Sequence, residues 1–355
     1  MKTGVLTVHR AINIGAILQT FALQELLKNM GNDSYVVNYI QEKVERTDRE
    51  RYDSKKRREF LFHGHLHGFL TFNQVKARVA KRRKLFDDFL RDHLQLTEAC
   101  NANNIPQDFD AYVIGSDQLW NSRIFGYQDP VFWGNFTRKE GSKVFAYADS
   151  TTVADLESTS KEFLEKSLQN FDAISVREKE VADYLNATFK LPKPVELVLD
   201  PTITAGRKLW DTMRTEKCSG EKYVLVYCAR PYQPKPQLVM EKAQKIADRL
   251  GCKVKELSMD TASDFIDQIS NAEYVLSSSY HGIVFSLIYN RPLYALMYGD
   301  DQDRRYVNLL KLLGAEKMLL SINEEAEPQD VDYAPINERI DKMVDKSKEF
   351  LNQIR

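Results

Sequence analysis

Residues 272–292 read AEYVLSSSYHGIVFSLIYNRP. Tyr274 to Leu276 is a short apolar run and predicts a strand. Ile283 to Tyr289 predicts a helix, and Leu293 to Leu296 a second strand. Two strands joined through a helix at this spacing form a βαβ unit, so the sheet is expected to be parallel. Ligands of such sheets gather at the carboxyl ends of the strands. Here that end carries Ser277, Ser278, Ser279, Tyr280, His281 and Gly282. The free amide hydrogens of the helix start attract an anion, the serine hydroxyls add donors, and His281 can supply a proton or a charge. One reading is a seat for a phosphate or carboxylate; the other is a serine-capped helix with a structural histidine.

The same rhythm extends in both directions. Tyr223 to Cys228 predicts a strand, Gln237 to Leu250 a helix ended by Gly251, Lys253 to Leu257 a strand, and Ala262 to Ser270 a helix. Toward the N-terminus, Gly4 to His9 and Ser34 to Ile40 read as strands flanking a helix over Ile17 to Asn29 that Gly31 stops. Short apolar runs at Ala111 to Ile114, Val144 to Ala148, Ala173 to Val176 and Val195 to Leu199 fit strands buried on both faces. Residues 41–105 break the rhythm, rich in charge and helical in tendency, and read as an insertion. The fold class is α/β: two doubly wound, Rossmann-like domains facing a cleft. The first spans 1–200, the second 201–335, and a closing helix 336–355.

Composition narrows the function. The 355 residues are 43% hydrophobic and 28% charged, with 15 Gly and 11 Pro, enough apolar material for two ordinary cores and too little Gly and Pro for a low-complexity chain. Lys plus Arg is 50 against 51 Asp plus Glu, a balance that weighs against a dedicated nucleic-acid binder. The sequence holds no apolar run of membrane-spanning length and no signal-peptide pattern. The four cysteines form no C-x-x-C pair, and a reducing cytoplasm is the simplest compartment.

Further candidates sit at other strand ends. Asp117, in AYVIGSDQLWN (111–121), is placed to act as a base or to bind a sugar hydroxyl, and Trp120 to stack on a pyranose face. The plain alternative is a turn with an Asp cap and a core Trp. Arg177 follows the strand ending at Val176 and can grip a carboxylate or phosphate with paired donors, or simply open a helix at the surface. Asn13 and Gly15 join the first strand to the first helix, where a small residue lets a ligand approach the backbone. Neither a dinucleotide fingerprint nor a P-loop is present. His63, His65 and His67 alternate as metal ligands on one strand would, although an exposed loop is the commoner outcome. The basic stretch 76–84, KARVAKRRK, beside Leu85, Phe86, Phe89 and Leu90, suits an anionic membrane surface or a solvated amphipathic helix.

Taken in order, these blocks resemble the polysaccharide pyruvyl transferase family. The resemblance runs from Asn13-x-Gly15 and LQTFAL (18–23) through VIGSDQLWN (113–121), Tyr147-Ala148-Asp149-Ser150, Ser175-Val176-Arg177-Glu178 and Asp200-Pro201-Thr202. It ends with Ser278-Ser279-Tyr280-His281-Gly282, Pro292 and RYVNLL (305–310). It implies a fold like the GT-B-type glycosyltransferases and a transfer of pyruvate, as a ketal, from phosphoenolpyruvate to a sugar. It implies that Arg177, Arg305 and His281 hold the donor from both lobes, with Ser278, Ser279 and Gly282 around them and His281 as the acid. It also implies that Asn13, Gly15, Asp117 and Trp120 face the acceptor, a sugar or lipid-linked oligosaccharide, with Asp117 as the base. No metal or redox cofactor is expected. A cytoplasmic enzyme with peripheral contact to the inner membrane surface fits this picture. A nucleotide-sugar glycosyltransferase and a non-catalytic glycan-binding protein are the alternatives.

Overall fold

The computed structural model describes residues 1–41, 80, 83–215, 220–228, 236–259 and 261–354. His63, His65, His67 and most of the basic stretch 76–84 lie outside them. The described residues form two compact units. The first comprises 1–176, 180–196 and the C-terminal residues from 352; the second comprises 177–179 and 197–351.

In the first unit the strands are β1 (Lys2–Leu6), β2 (Asp33–Val36), β3 (Ala111–Asp117), β4 (Lys143–Asp149), β5 (Ala173–Val176) and β6 (Glu196–Leu197), in the sheet order β2-β1-β3-β4-β5-β6. The pairs β1–β2, β1–β3, β3–β4 and β4–β5 are parallel. Every residue of β3 but the last is buried, as a strand covered on both faces requires. Helix α1 (Ile14–Asn29) is buried nearly all round. Its polar positions are therefore bonded inside: the Gln19 amide donates to Thr7 Oγ1, and the Gln24 amide donates to the carbonyls of Ser34 and Gln95.

The insertion is partly woven into this unit. A helix over 83–93 turns Phe86, Phe89 and Leu90 into the core, and Phe89 meets Phe21 edge-on at 6.1 Å. These three side chains of its apolar face are thus used internally. Beyond it the chain runs beside the end of β2, with parallel bridges Val36–Leu96 and Tyr39–Cys100. At the other root of the insertion, buried Asp129 accepts hydrogen bonds from the Tyr39 and Tyr127 hydroxyls and from the Gln41 amide. Burial first, and the Asp129 charge next, push the Tyr127 phenol up to about 12. No helix among the described residues is long and apolar enough to cross a membrane.

The second unit repeats the plan. Its strands β7 (Tyr223–Tyr227), β8 (Lys253–Glu256), β9 (Tyr274–Ser277), β10 (Leu293–Met297) and β11 (Leu319–Ser321) take the order β11-β10-β9-β7-β8. The neighbouring pairs are parallel. Each sheet reverses direction of growth once, between β1 and β3 and between β7 and β9. A crevice opens at such a reversal, so the fold itself marks the carboxyl ends of these strands for ligands. The closing helix spans Ala334–Leu351, and Ser347 on it accepts a hydrogen bond from the Leu199 amide of the same unit.

Gly115 in β3 shows how tightly one of these strand ends is specified. Its φ of +127° is open to glycine, and a Cβ there would run into the Tyr147 carbonyl oxygen of β4. Gly115→Ala is expected to cost on the order of 2–4 kcal/mol, from backbone strain plus a distorted β3–β4 ladder. Urea unfolding of the two proteins followed by circular dichroism measures it; an unchanged midpoint contradicts the assignment.

Candidate functional site

The site assembles where β9 hands over to α2 (Tyr280–Ile288). Ser277 Oγ donates to the Tyr227 carbonyl at 2.7 Å and accepts from the Ser279 amide at 3.1 Å, so one hydroxyl stitches β7 to the turn. Ser279 is the N-cap and accepts from the Gly282 amide. The helix thus begins at Tyr280, three residues before the apolar period suggests, and His281 sits in its first turn. Gly282 is needed because a Cβ there would press on Ser277 Oγ and, at 2.8 Å, on the Tyr227 ring. Ser278 Oγ is buried, and no group among the described residues hydrogen-bonds to it.

Three cationic or ionisable side chains converge here. Arg177 follows β5 but belongs to the second unit, where its Nη1 donates to Asp200 Oδ2. The guanidinium carbon lies 5.0 Å from the centre of the Tyr280 ring. Arg305, in α3 (Arg304–Leu312), stands 5.5 Å from the same ring. Its neighbour Arg304 is exposed and pairs with Asp301. Asp303 fixes the start of α3: its carboxylate accepts from the Tyr298 and Gly299 amides and from the Tyr306 hydroxyl. His281 Nε2 is 3.8 Å from Asp200 Oδ2. The two arginines therefore come from one unit and not from both lobes, because Asp200 and Tyr280, which hold Arg177, are part of that unit.

Asp200 and Tyr280 join the site although the sequence reading, which quotes both, assigns neither a role in it. Asp200 stands in the block Asp200-Pro201-Thr202, where its local partner is Thr202 two residues on. Thr202 donates to Asp200 Oδ1 through its amide at 2.9 Å and its hydroxyl at 2.6 Å. Burial alone would raise the Asp200 carboxyl. The Arg177 charge, then His281 and the Thr202 bonds, outweigh it and hold the group below the usual carboxylate range. The Tyr280 phenol is pushed up, chiefly by burial.

The residues expected on the acceptor side lie in the first unit and are less alike in their surroundings. Asn13 is the exposed N-cap of α1 and accepts from the Gly15 amide at 2.9 Å. Asp117 ends β3 half-buried, with φ of +88° and its Oδ1 bonded to the Gln118 amide. Both stand at carboxyl ends beside the β1–β3 reversal. Trp120 does not join them. It is 0% exposed, stacks on Trp133 at 4.5 Å with planes 9° apart, and donates its indole hydrogen to the Phe132 carbonyl. Its ring faces belong to the core, so a sugar has no face of it to meet.

A depressed carboxyl adds stability that is complete above the unfolded pKa and is lost as pH falls through the folded one. For Asp200 the unperturbed value is 3.8, so its advantage over Asp200→Asn should be steady near neutrality and shrink as pH falls below that value. Denaturant titrations of both proteins between pH 7 and pH 2 check this. A gap that stays constant to pH 2 contradicts an ionised, paired Asp200.

Comparison with known proteins adds the family. No curated protein sequence matches the chain. Similar solved structures include the S. aureus MnaA–UDP co-structure (12% identity, 99% of this chain and 91% of that one, TM-score 0.48). Two further ones are UDP-GlcNAc 2-epimerases. That of Neisseria meningitidis bound to UDP-GlcNAc has 10% identity, 99% and 94% coverage and a TM-score of 0.47. That of Methanocaldococcus jannaschii has 10% identity, 97% and 93% coverage and a TM-score of 0.46. The model of the family described as polysaccharide pyruvyl transferase matches residues 13–301, a span that contains Arg177, Asp200, Tyr280 and His281 and stops just short of Arg305. A match over most of the chain, with Arg177, Asp200 and His281 inside it, makes this protein a transferase of the polysaccharide pyruvyl transferase family.

Proposed function

We propose that the second unit binds phosphoenolpyruvate and that the enzyme transfers its pyruvyl group to two hydroxyls of a sugar in a polysaccharide or lipid-linked precursor, releasing phosphate. The observation that carries this reading is the convergence of Arg177, Arg305 and His281 around Tyr280, beside the start of α2. Phosphoenolpyruvate has a phosphate and a carboxylate on one carbon. Two guanidinium groups suit two anionic groups, and buried Ser278 Oγ with the first-turn amides suits phosphate oxygens.

The chemistry then follows from the donor. A proton delivered to the methylene carbon makes it a methyl group and leaves an oxocarbenium-like centre. One sugar hydroxyl attacks this centre, phosphate leaves, and the second hydroxyl closes the ketal. Of the two hydroxyl protons, one balances the proton gained by the methyl group and the other departs with phosphate. His281 is the acid in this scheme and Asp117 the base or hydroxyl ligand, with Asn13 and Gly15 toward the acceptor and Ser279 and Gly282 shaping the donor seat. Each acid or base contributes about 10² to 10⁴ in rate. The overall reaction is redox-neutral, so the scheme calls for no redox cofactor. A cytoplasmic setting, close to a membrane-borne acceptor, suits a cellular phosphoenolpyruvate supply.

Phosphate release from phosphoenolpyruvate is the test, run with a panel of galactosyl, mannosyl and glucosyl acceptors. Release should depend on one of the acceptors, and Arg177→Ala and His281→Ala should each lower it by about 10² or more while the proteins stay folded by circular dichroism. Wild-type rates in both variants would refute the donor site.

A further inference from the structure

Asp200 is fully buried, so substrate does not reach it, yet it touches two of the three residues in the donor seat. Its two oxygens divide the labour. Oδ1 takes both Thr202 bonds, which fix the plane of the carboxylate at the start of the short helix Pro201–Thr204. Oδ2 faces Arg177 Nη1 and His281 Nε2. We propose that Asp200 is a positioning residue that holds Arg177 and His281 as a charge-compensated pair, so that His281 keeps its proton beside a guanidinium. The proposal rests on the donor reading above for its consequence in turnover.

The electrostatic argument is direct. Arginine stays charged throughout the working pH range, and a fixed cation next to an imidazole discourages its protonation. Protonating a methylene carbon requires the imidazolium form. Among the described residues, the charged and titratable groups around the Tyr280–His281 corner include Arg177, Arg305, Glu178 and Asp200. Asp200 has an oxygen within ion-pair distance of both the Arg177 guanidinium and the imidazole. Geometry adds to charge, because Asp200 is also what turns the Arg177 guanidinium toward the Tyr280 ring.

The pH dependence of turnover separates this from a merely structural role. In Asp200→Asn the alkaline limb of kcat should move at least about one pH unit to lower pH, and KM for phosphoenolpyruvate should rise about tenfold as Arg177 loosens. Asp200→Glu keeps the charge on a longer arm, so the limb should return toward wild type while KM stays raised. Thr202→Val, which removes one donor to the carboxylate, should shift the limb in the same direction by less. A readout without substrate is the NMR titration of the His281 ring, identified by its loss in His281→Ala. Its midpoint should fall by about one unit in Asp200→Asn. An unchanged His281 midpoint in Asp200→Asn, or in Thr202→Val if the first variant does not fold, overturns the proposal. A wild-type enzyme that releases no phosphate from phosphoenolpyruvate would instead defeat the donor reading, and the ring titration would still decide for or against Asp200.

Discussion

The buried ion pair between Arg177 and Asp200 is the constraint on which the candidate site depends. A guanidinium taken out of water is costly unless its partner is close and its remaining donors are directed. Asp200 answers the first need, the Tyr280 ring adds cation–π support, and the two Thr202 bonds keep the carboxylate from turning away. The result is a cation fixed in direction before any ligand arrives, which lowers the ordering cost of binding an anion. Arg305 is set differently: its helix is moored by Asp303, which bonds two backbone amides and a tyrosine hydroxyl at the end of β10.

The architecture explains why such a site falls where it does. Parallel strands place their carboxyl ends on one edge, and the reversal between β7 and β9 parts the flanking connections above that edge. Ser277 and Gly282 then let the α2 start approach β7 closely. The first unit uses the same device between β1 and β3, where Asn13 and Asp117 stand. Two sheets of one design thus each present a set of polar strand ends.

Much of this is legible in the amino-acid order. Ala173 to Val176 and Ala262 to Ser270 read at their true bounds, because short buried strands and strongly amphipathic helices leave unambiguous periods. Tyr280 to Gly282 fall outside the helix read over Ile283 to Tyr289, since a period drawn from apolar residues alone does not see the polar first turn that Ser279 caps. Trp120 misleads for a related reason: a tryptophan beside a strand end has the same local spelling whether it faces a ligand or a second indole, and Trp133 lies too far along the chain for spacing to reveal it. Asp200 is legible as a chain stop and not as a partner of Arg177, because that pairing spans 23 positions and is made only when the fold closes.

The junction at Gln41 has a bearing on how this protein can vary. The Gln41 amide and two phenols are gathered on Asp129 at one edge of the 42–79 stretch, and Phe86 and Phe89 are sunk in the core soon after the other. Each of these anchors is thus tied to the first unit by contacts of its own. Substitutions at Asp129 and at Phe89 would therefore act on the two anchors separately, each loosening its own edge of the first unit.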